Sequence, residues 1–350
     1  MIYRTCVEAA DFHPDTKSFF ANADVLVTGG GGFIGSHVVE QLLGLGARPV
    51  SVSRNGSPGH LGTLAASIDI TTCDLTRRQD TETLLSSRPV DVVMHLAADI
   101  GGLSYNIAYS ASIFDRNMRM AMNILDAARR SNIARILLCS SACVYPRFCS
   151  VPTPEEEGFD GEPEPTNAGY GWSKRMMEFL GRQYHEGFGL SVAIARPYNA
   201  YGPRDEFDPS RSHVIPALIR KAFLSESDEF GVWGDGSASR SFVYVDDFAR
   251  GLIETAARYA EADAINIGTE EEIPTGELAR LIGDLVGERR GKVLRPAFDP
   301  SQPSGQPRRN CSTVKAREKI GFEAKVSLAN GLSRTIEWYE DHEHRADNPG

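Results

Sequence analysis

Nowhere in its 350 residues does the sequence hold an apolar run of about 18, the length a membrane-crossing helix requires, so no transmembrane span is expected. The stretch from Met1 to Ala23 lacks an apolar signal core and carries Glu8, Asp11 and Asp15, which argues against secretion. The six cysteines (Cys6, Cys73, Cys139, Cys143, Cys149 and Cys311) form no C-x-x-C pair and meet no matching histidine pair. No metal site is expected, and isolated thiols in a chain this long fit a reducing cytoplasm. Positive charge is in deficit, with a formal net charge of −10. That excludes nucleic acid or an anionic membrane as the main partner, and an anionic ligand then needs a local basic pocket.

What is present is an ordinary globular composition, 41 % hydrophobic and 24 % charged. The length predicts two lobes sharing an interface. Short apolar runs at 25–28, 49–53, 68–72, 90–96, 136–140 and 190–195 read as strands. Helical patterns at 33–45, 113–130 and 168–186 lie between them. This alternation predicts an α/β fold, a doubly wound parallel sheet of Rossmann type with helices on both faces. After Arg196-Pro197 turn-rich segments alternate with helices at 216–224, 246–258 and 275–286, which reads as a smaller α/β lobe closing over a ligand. The expected layout is an N-terminal extension over 1–23, a dinucleotide lobe over 24–195 joined by strands from later segments, a mainly substrate-binding lobe over 196–340, and a frayed polar tail over 341–350.

Thr28-Gly-Gly-Gly-Gly-Phe-Ile-Gly35 lies between the first strand and the first helix, with Gly29, Gly32 and Gly35 in a G-x-x-G-x-x-G spacing. Glycines allow a tight turn and close approach to a pyrophosphate, and the helix start at Phe33 and Ile34 offers N–H donors. NAD(P) is therefore the expected cofactor. The second strand ends in Ser53-Arg54 with no acidic residue, which favours NADP over NAD because Arg54 can meet a 2′-phosphate and Ser53 can donate to it. Asp74-Leu75 after the third strand and Leu96-Ala97-Ala98 after the fourth complete the expected groove, and His95 reads as a structural histidine. Tyr170 and Lys174 stand four apart, on one helix face. A neighbouring ammonium and a cationic nicotinamide would favour the phenolate, making Tyr170 a general base, with Lys174 also placed to hold the ribose. Ser141, beyond the fifth strand, is placed to hydrogen-bond the reacting hydroxyl.

The order of these motifs resembles the extended short-chain dehydrogenase/reductases, the NAD-dependent epimerase/dehydratase group, from about Val25 to Tyr339. The resemblance implies a nucleotide-sugar substrate, a homodimer formed through helices, a catalytic triad of Ser141, Tyr170 and Lys174, and a structural Asn117 beside the cofactor. Where the 4,6-dehydratases carry Asp-Glu, this sequence has Ala142-Cys143, so water elimination is not expected. A ketone at C4 acidifies the protons at C3 and C5, and Cys143 and His213 are candidate proton carriers for them. Ser-Ser-Ala-Cys-Val-Tyr-Pro at 140–146, the N-terminal extension and Ala98-Asp-Ile-Gly-Gly102 resemble GDP-mannose 3,5-epimerases, whereas the His213 segment resembles GDP-L-fucose synthases.

The leading expectation is a GDP-hexose 3,5-epimerase with no net reduction. Its alternative is an NADPH-consuming epimerase–reductase. A catalytically idle cofactor-binding module is the third reading, disfavoured by the intact triad. Asn199, Trp233, Arg240 and Arg309 match substrate-binding segments, with Arg211 in the His213 loop, and Gly101 and Gly102 would let backbone approach the sugar. Two arginines in facing loops suit a diphosphate.

Overall fold

A computed structural model describes residues 5–302 and 306–344; the first four residues, and 345–350 of the expected frayed tail, lie outside it. A seven-stranded sheet forms the centre of the molecule. The strands of the first half are β1 (Asp24–Thr28), β2 (Arg48–Ser53), β3 (Asp69–Thr72), β4 (Val92–His95), β5 (Arg135–Cys139) and β6 (Val192–Pro197). The second half contributes β7 (Ala200–Tyr201), β8 (Glu229–Trp233), β9 (Ser239–Ser241), β10 (Val243–Tyr244), β11 (Glu261–Ile267), β12 (Glu272–Pro274), β13 (Arg295–Asp299) and β14 (Arg308–Arg309). The sheet order is β11-β6-β5-β4-β1-β2-β3, and every pairing in it is parallel. Strand order reverses between β1 and β4, and a crevice opens there at the carboxyl ends of the strands.

The helices are α1 (Pro14–Phe20), α2 (Phe33–Gly44), α3 (Arg78–Ser86), α4 (Leu103–Ala108), α5 (Ser110–Arg130), α6 (Ala168–Phe188), α7 (Val214–Leu224), α8 (Val245–Arg258), α9 (Thr275–Arg290), α10 (Val314–Ile320) and α11 (Leu328–Tyr339). Alternation along the buried strands divides their side chains between two cores. Val25, Val27, Met94 and Leu137 pack beneath α2 and α8, while Leu26, Val93, Ile136 and Leu138 pack beneath α5 and α6. On α5 the buried Ile113, Asn117, Met120, Ala121, Ile124 and Ala128 recur at helical spacing and form one face. Helix α6 ends at Gly189, whose left-handed φ of 71° closes the helix.

One placement differs from the sequence reading. Helix α8, grouped there with the second lobe, buries Phe248, Leu252, Ile253 and Ala256 in the core of the first. The N-terminal extension packs against the same lobe, with Phe12 and Phe20 buried in that core. The second lobe has its own core, where Ile219 and Phe223 of α7 meet Phe230 and Val232 of β8, Ile282 of α9 and Ile336 of α11. Among the described residues no helix is long and apolar enough to cross a membrane, and no group of three or more metal-ligating side chains gathers.

Candidate active site

The glycine turn joins β1 to α2 at the crevice. Gly29 has φ of 71°, and a Cβ there would lie 3.2 Å from the Ala97 backbone, so glycine lets the ends of β1 and β4 close together. A Cβ on Gly35 would fall 2.1 Å from the Gly29 carbonyl oxygen, which makes Gly35 a packing requirement of the turn. Gly32 caps α2, leaving Phe33 and Ile34 half-buried at its first turn. Thr28 Oγ1 accepts from the Leu96 and Ala97 amides at 3.1 Å and lies 2.9 Å from His95 Nδ1. Burial pushes the His95 pKa down to about 3, so it is a neutral, structural imidazole. Leu96, Ala97 and Ala98 are half-exposed along the groove.

At the end of β2, Arg54 is exposed, and Ser53 Oγ donates to Ser57 O at 3.3 Å. Three further residues of the expected groove have partners within the protein. Leu75 is buried in the core, because the turn after β3 folds inward and its carbonyl takes the Asn123 amide at 2.9 Å. The Asp74 carboxylate is held below its usual range, first by the Thr76 hydroxyl, and it caps that turn with bonds of 2.7 and 3.0 Å. Asn117 spends its carboxamide on both backbone groups of Asp99, at 2.8 and 2.9 Å, so it shapes the loop after β4.

The catalytic candidates gather where β5 ends against α6. Tyr170 and Lys174 lie on the buried face of α6, 6 % and 3 % exposed. Lys174 Nζ donates to Cys139 O at 2.7 Å and lies 5.5 Å from the centre of the Tyr170 ring. The Tyr170 and Ser141 hydroxyls are hydrogen-bonded, and Ser141 Oγ accepts from the Cys143 amide at 3.1 Å. Burial raises the pKa of the phenol, with the neighbouring Cys143 adding to the rise and the hydrogen bond to Ser141 opposing it. Burial likewise lowers the Lys174 pKa.

A clamp below the triad was not read from the sequence. Glu178, one turn beyond Lys174, pairs with Arg196 through two bonds of 2.9 and 2.7 Å and accepts from the Ser140 hydroxyl. Arg196 also reaches the Tyr145 hydroxyl at 3.0 Å and Glu155 O at 2.6 Å. Glu, Arg and Ser at distant positions become one unit only when β5, β6 and α6 stack. The sole local signal is the Tyr170, Lys174, Glu178 spacing.

Cys143 is half-buried, and Arg309 Nη2 lies 3.7 Å from its sulfur. Arg309 is the register partner of Arg240 across β14 and β9. Neither arginine has a carboxylate within ion-pair distance among the described residues, and burial followed by repulsion from Arg309 pushes the Arg240 pKa down to about 10. Two adjacent guanidinium groups without carboxylate partners suit an anionic ligand.

Arg240 faces a cavity of about 720 Å³ between the lobes, which Gly102, His213 and Trp233 also line. His213 caps α7 with its ring open to the cleft; the surrounding protein lowers its pKa, opposed by Glu206. The remaining substrate candidates stand back from this cavity. Asn199, at φ of 31°, donates to Ser241 O at 2.8 Å and so braces the strand bearing Arg240. Arg211 is exposed with its guanidinium 5.7 Å from the Tyr105 ring centre, and Gly101 is tied to Asn106 at 3.1 Å. Lys221, Glu229 and Thr275, not singled out from the sequence, do line it.

Residues 25–268 match the model of the NAD dependent epimerase/dehydratase family. The chain is 34 % identical to the probable GDP-L-fucose synthase 1 of Oryza sativa subsp. japonica over 96 % of its own length and 97 % of that protein. It is 35 % identical to the dTDP-4-dehydro-6-deoxy-D-allose reductase of a Streptomyces species, over 93 % of its own length and 99 % of that protein. Among solved structures, the GDP-L-fucose synthetase of Naegleria fowleri bound to NADP superposes with a TM-score of 0.78 at 25 % identity, over 93 % of this chain and 96 % of that one.

Proposed function

The chain belongs to the NAD dependent epimerase/dehydratase family, and from that premise we propose that it is an NADPH-dependent epimerase–reductase acting on a nucleoside-diphosphate 4-keto-6-deoxyhexose, in the manner of GDP-L-fucose synthases. The observation that carries this reading is the likeness, over more than nine tenths of the chain, to a probable GDP-L-fucose synthase and a dTDP-4-dehydro-6-deoxy-D-allose reductase. The Tyr170 phenol, buried beside Ser141, is placed to donate to a C4 oxygen as that carbon is reduced. The reduced nicotinamide, when bound, supplies the hydride; its ring is neutral and adds no positive charge to drive the phenol proton off. The glycine turn fits a dinucleotide, because side chains at Gly29 and Gly35 would collide with backbone, and the exposed Arg54 suits a 2′-phosphate.

Before reduction, the C4 ketone lets protons leave C3 and C5. Cys143 and His213 share their removal and return, and Arg309 steadies negative charge at the sulfur. Arg240 and Arg309 hold the diphosphate. The first expectation, a GDP-mannose 3,5-epimerase without net reduction, gives way to its alternative, which the relatives' names support. We also propose a homodimer through α5 and α6, whose exposed Phe114, Met122 and Phe179 suit such an interface.

Incubation with GDP-4-keto-6-deoxymannose and NADPH in D₂O tests the activity. The expected result is one NADPH oxidised per sugar, with deuterium at C3 and C5. Deuterium exchange into GDP-mannose with no NADPH consumed would restore the 3,5-epimerase instead.

A further inference from the structure

Cys149 has no part in the site described above, yet it stands beside it. Cys143 lies in the short turn Ala142–Val144 after β5, and five residues separate it from Cys149. Arg309 Nη2 lies 3.7 Å from the Cys143 sulfur, and the same guanidinium interacts electrostatically with Cys149. Cys149 also packs against a small cluster of Ala142, Val144, Tyr145, Tyr198 and Cys311, two of whose members flank Cys143 in the chain. Its sulfur is 3.2 Å from the Thr153 hydroxyl, which is hydrogen-bonded to that of Tyr198, and the Arg309 guanidinium lies 5.9 Å from the centre of the Tyr198 ring. The two thiols, both half-buried, are thus neighbours of one guanidinium and of one apolar cluster. The chain between them is an exposed loop, with Phe148 86 % exposed. The Arg147 carbonyl accepts from Gln306 at 3.0 Å, and the Ser150 amide donates to Glu157 at 2.8 Å. A disulfide needs the two Cα atoms within about 7 Å, and a surface loop of this length can meet that without moving β5. Cys139 and Cys311 are buried, the first within β5 and the second inside the cluster.

We infer that Cys143 and Cys149 are a peroxide-sensitive thiol pair, in which Cys143 is oxidised first and Cys149 resolves it as a reversible disulfide. The Cys143 sulfur, as thiolate, gives an electron pair to one oxygen of hydrogen peroxide. The O–O bond breaks, leaving a sulfenic acid, and the departing hydroxide takes up the thiol proton as water. Arg309 stands against the negative charge of the attacking sulfur. The Cys149 sulfur then attacks that of Cys143. An S–S bond forms, the S–O bond breaks, and the hydroxide leaves with the Cys149 proton as a second water. Two thiols lose two electrons to one peroxide, and a dithiol reductant reverses the change. In a reducing compartment such disulfides are transient and report a rise in oxidant. With Cys143 as a proton carrier, the disulfide also halts exchange at C3 and C5; that consequence rests on the proposed function, and the pairing does not.

Treatment of the full chain with hydrogen peroxide, followed by intact-mass measurement and non-reducing peptide mapping, tests the pair. The expected product has lost two hydrogen atoms and holds Cys143 and Cys149 in one cross-linked fragment. Deuterium exchange into GDP-4-keto-6-deoxymannose should fall about 10²-fold or more, and dithiothreitol should restore both mass and exchange. Cys149→Ser should exchange like the parent before treatment. Afterwards its Cys143 has no resolving thiol, so it gains oxygen up to the sulfinic acid and dithiothreitol does not restore exchange. A cross-link from Cys143 to Cys139 or Cys311 would overturn the inference. So would oxygen addition at Cys143 of the parent without a disulfide, or a reversible loss of exchange that persists in Cys149→Ser. A mapped Cys143–Cys149 disulfide with exchange intact would leave the pair standing and count against Cys143 in the proposed reaction.

Discussion

Two proton-handling residues at the end of β5 and the start of α6 have separable tasks. In the proposed reaction Tyr170 serves the reduction at C4, and Cys143 serves the inversions beside it. In Tyr170→Phe the ring still fills its buried site, so the fold is retained while the hydroxyl proton is gone. NADPH oxidation should fall about 10²–10⁴-fold, the usual worth of a positioned proton donor. Deuterium exchange at C3 and C5 of a supplied 4-keto sugar should continue, because the ketone is present from the start. Cys143→Ser should give the opposite pattern: exchange is lost, the cofactor still binds, and slow reduction of the uninverted ketone persists. Mass spectrometry of the sugar alongside NADPH absorbance reads both. If each variant lost both activities in proportion, the division of labour between phenol and thiol would be wrong. Both residues were legible in the sequence, since each sits in a short motif of fixed spacing. The burial of Tyr170 was not, because the stacking of α6 against β5 produces it and no local pattern reports that.

Helix α6 presents three functional side chains in successive turns, Tyr170, Lys174 and Glu178, all facing the end of β5. Lys174 holds the Cys139 carbonyl and Glu178 holds the Ser140 hydroxyl, which fixes the strand end from which Ser141 projects. The negative charge of Glu178 also works electrically. Burial lowers the Lys174 pKa, and the neighbouring Cys139 and Glu178 oppose that fall. Glu178→Gln keeps the shape and removes the charge. The Lys174 pKa should then drop, so the ammonium is lost earlier as pH rises, and the alkaline limb of kcat/KM should move to lower pH. Stability should fall by about 3–5 kcal/mol, because Arg196 is left as a buried, unpaired cation. A purely structural role would lower the melting temperature and leave the pH profile of the folded fraction where it was, and that profile would sink the claim that Glu178 keeps Lys174 charged. The helix itself was plain in the sequence. Its partner Arg196 was not linked to it, since only the parallel pairing of β5 and β6 brings the two together.

At the scale of the molecule, the parallel sheet with helices on both faces followed from the alternation of strands and helices, which is a local signal repeated many times. The strand order and the placing of α8 did not: a strand returning from a later segment was expected, as β11 does, but α8 also returns to the first lobe, through contacts far apart in sequence. The segment before β1 was obscure for the same reason. It has little periodicity of its own, yet it straps α2 to α8 across the back of the glycine turn. The Cys6 amide donates to Asp246 at 2.8 Å, and Asp246 in turn holds His37 of α2 at 2.7 Å. The His13 amide and Thr16 hydroxyl both reach Glu254 of α8, at 2.8 and 2.5 Å. Phe12 and Phe20 are buried between them. Burying an aromatic side chain contributes about 1.5–3 kcal/mol, so losing both rings exposes a core surface worth several kcal/mol. A chain starting at residue 23 should therefore melt at least about 5 °C below the full chain. Because His37 belongs to the helix that starts at the glycine turn, its affinity for NADPH should also fall, by more than its affinity for GDP. Calorimetric melting and separate titrations with the two ligands measure this. A truncated chain that melts within about 1 °C of the parent would place the segment outside the cooperative unit, and equal weakening of both ligands would mean that it supports the whole molecule without favouring the cofactor lobe.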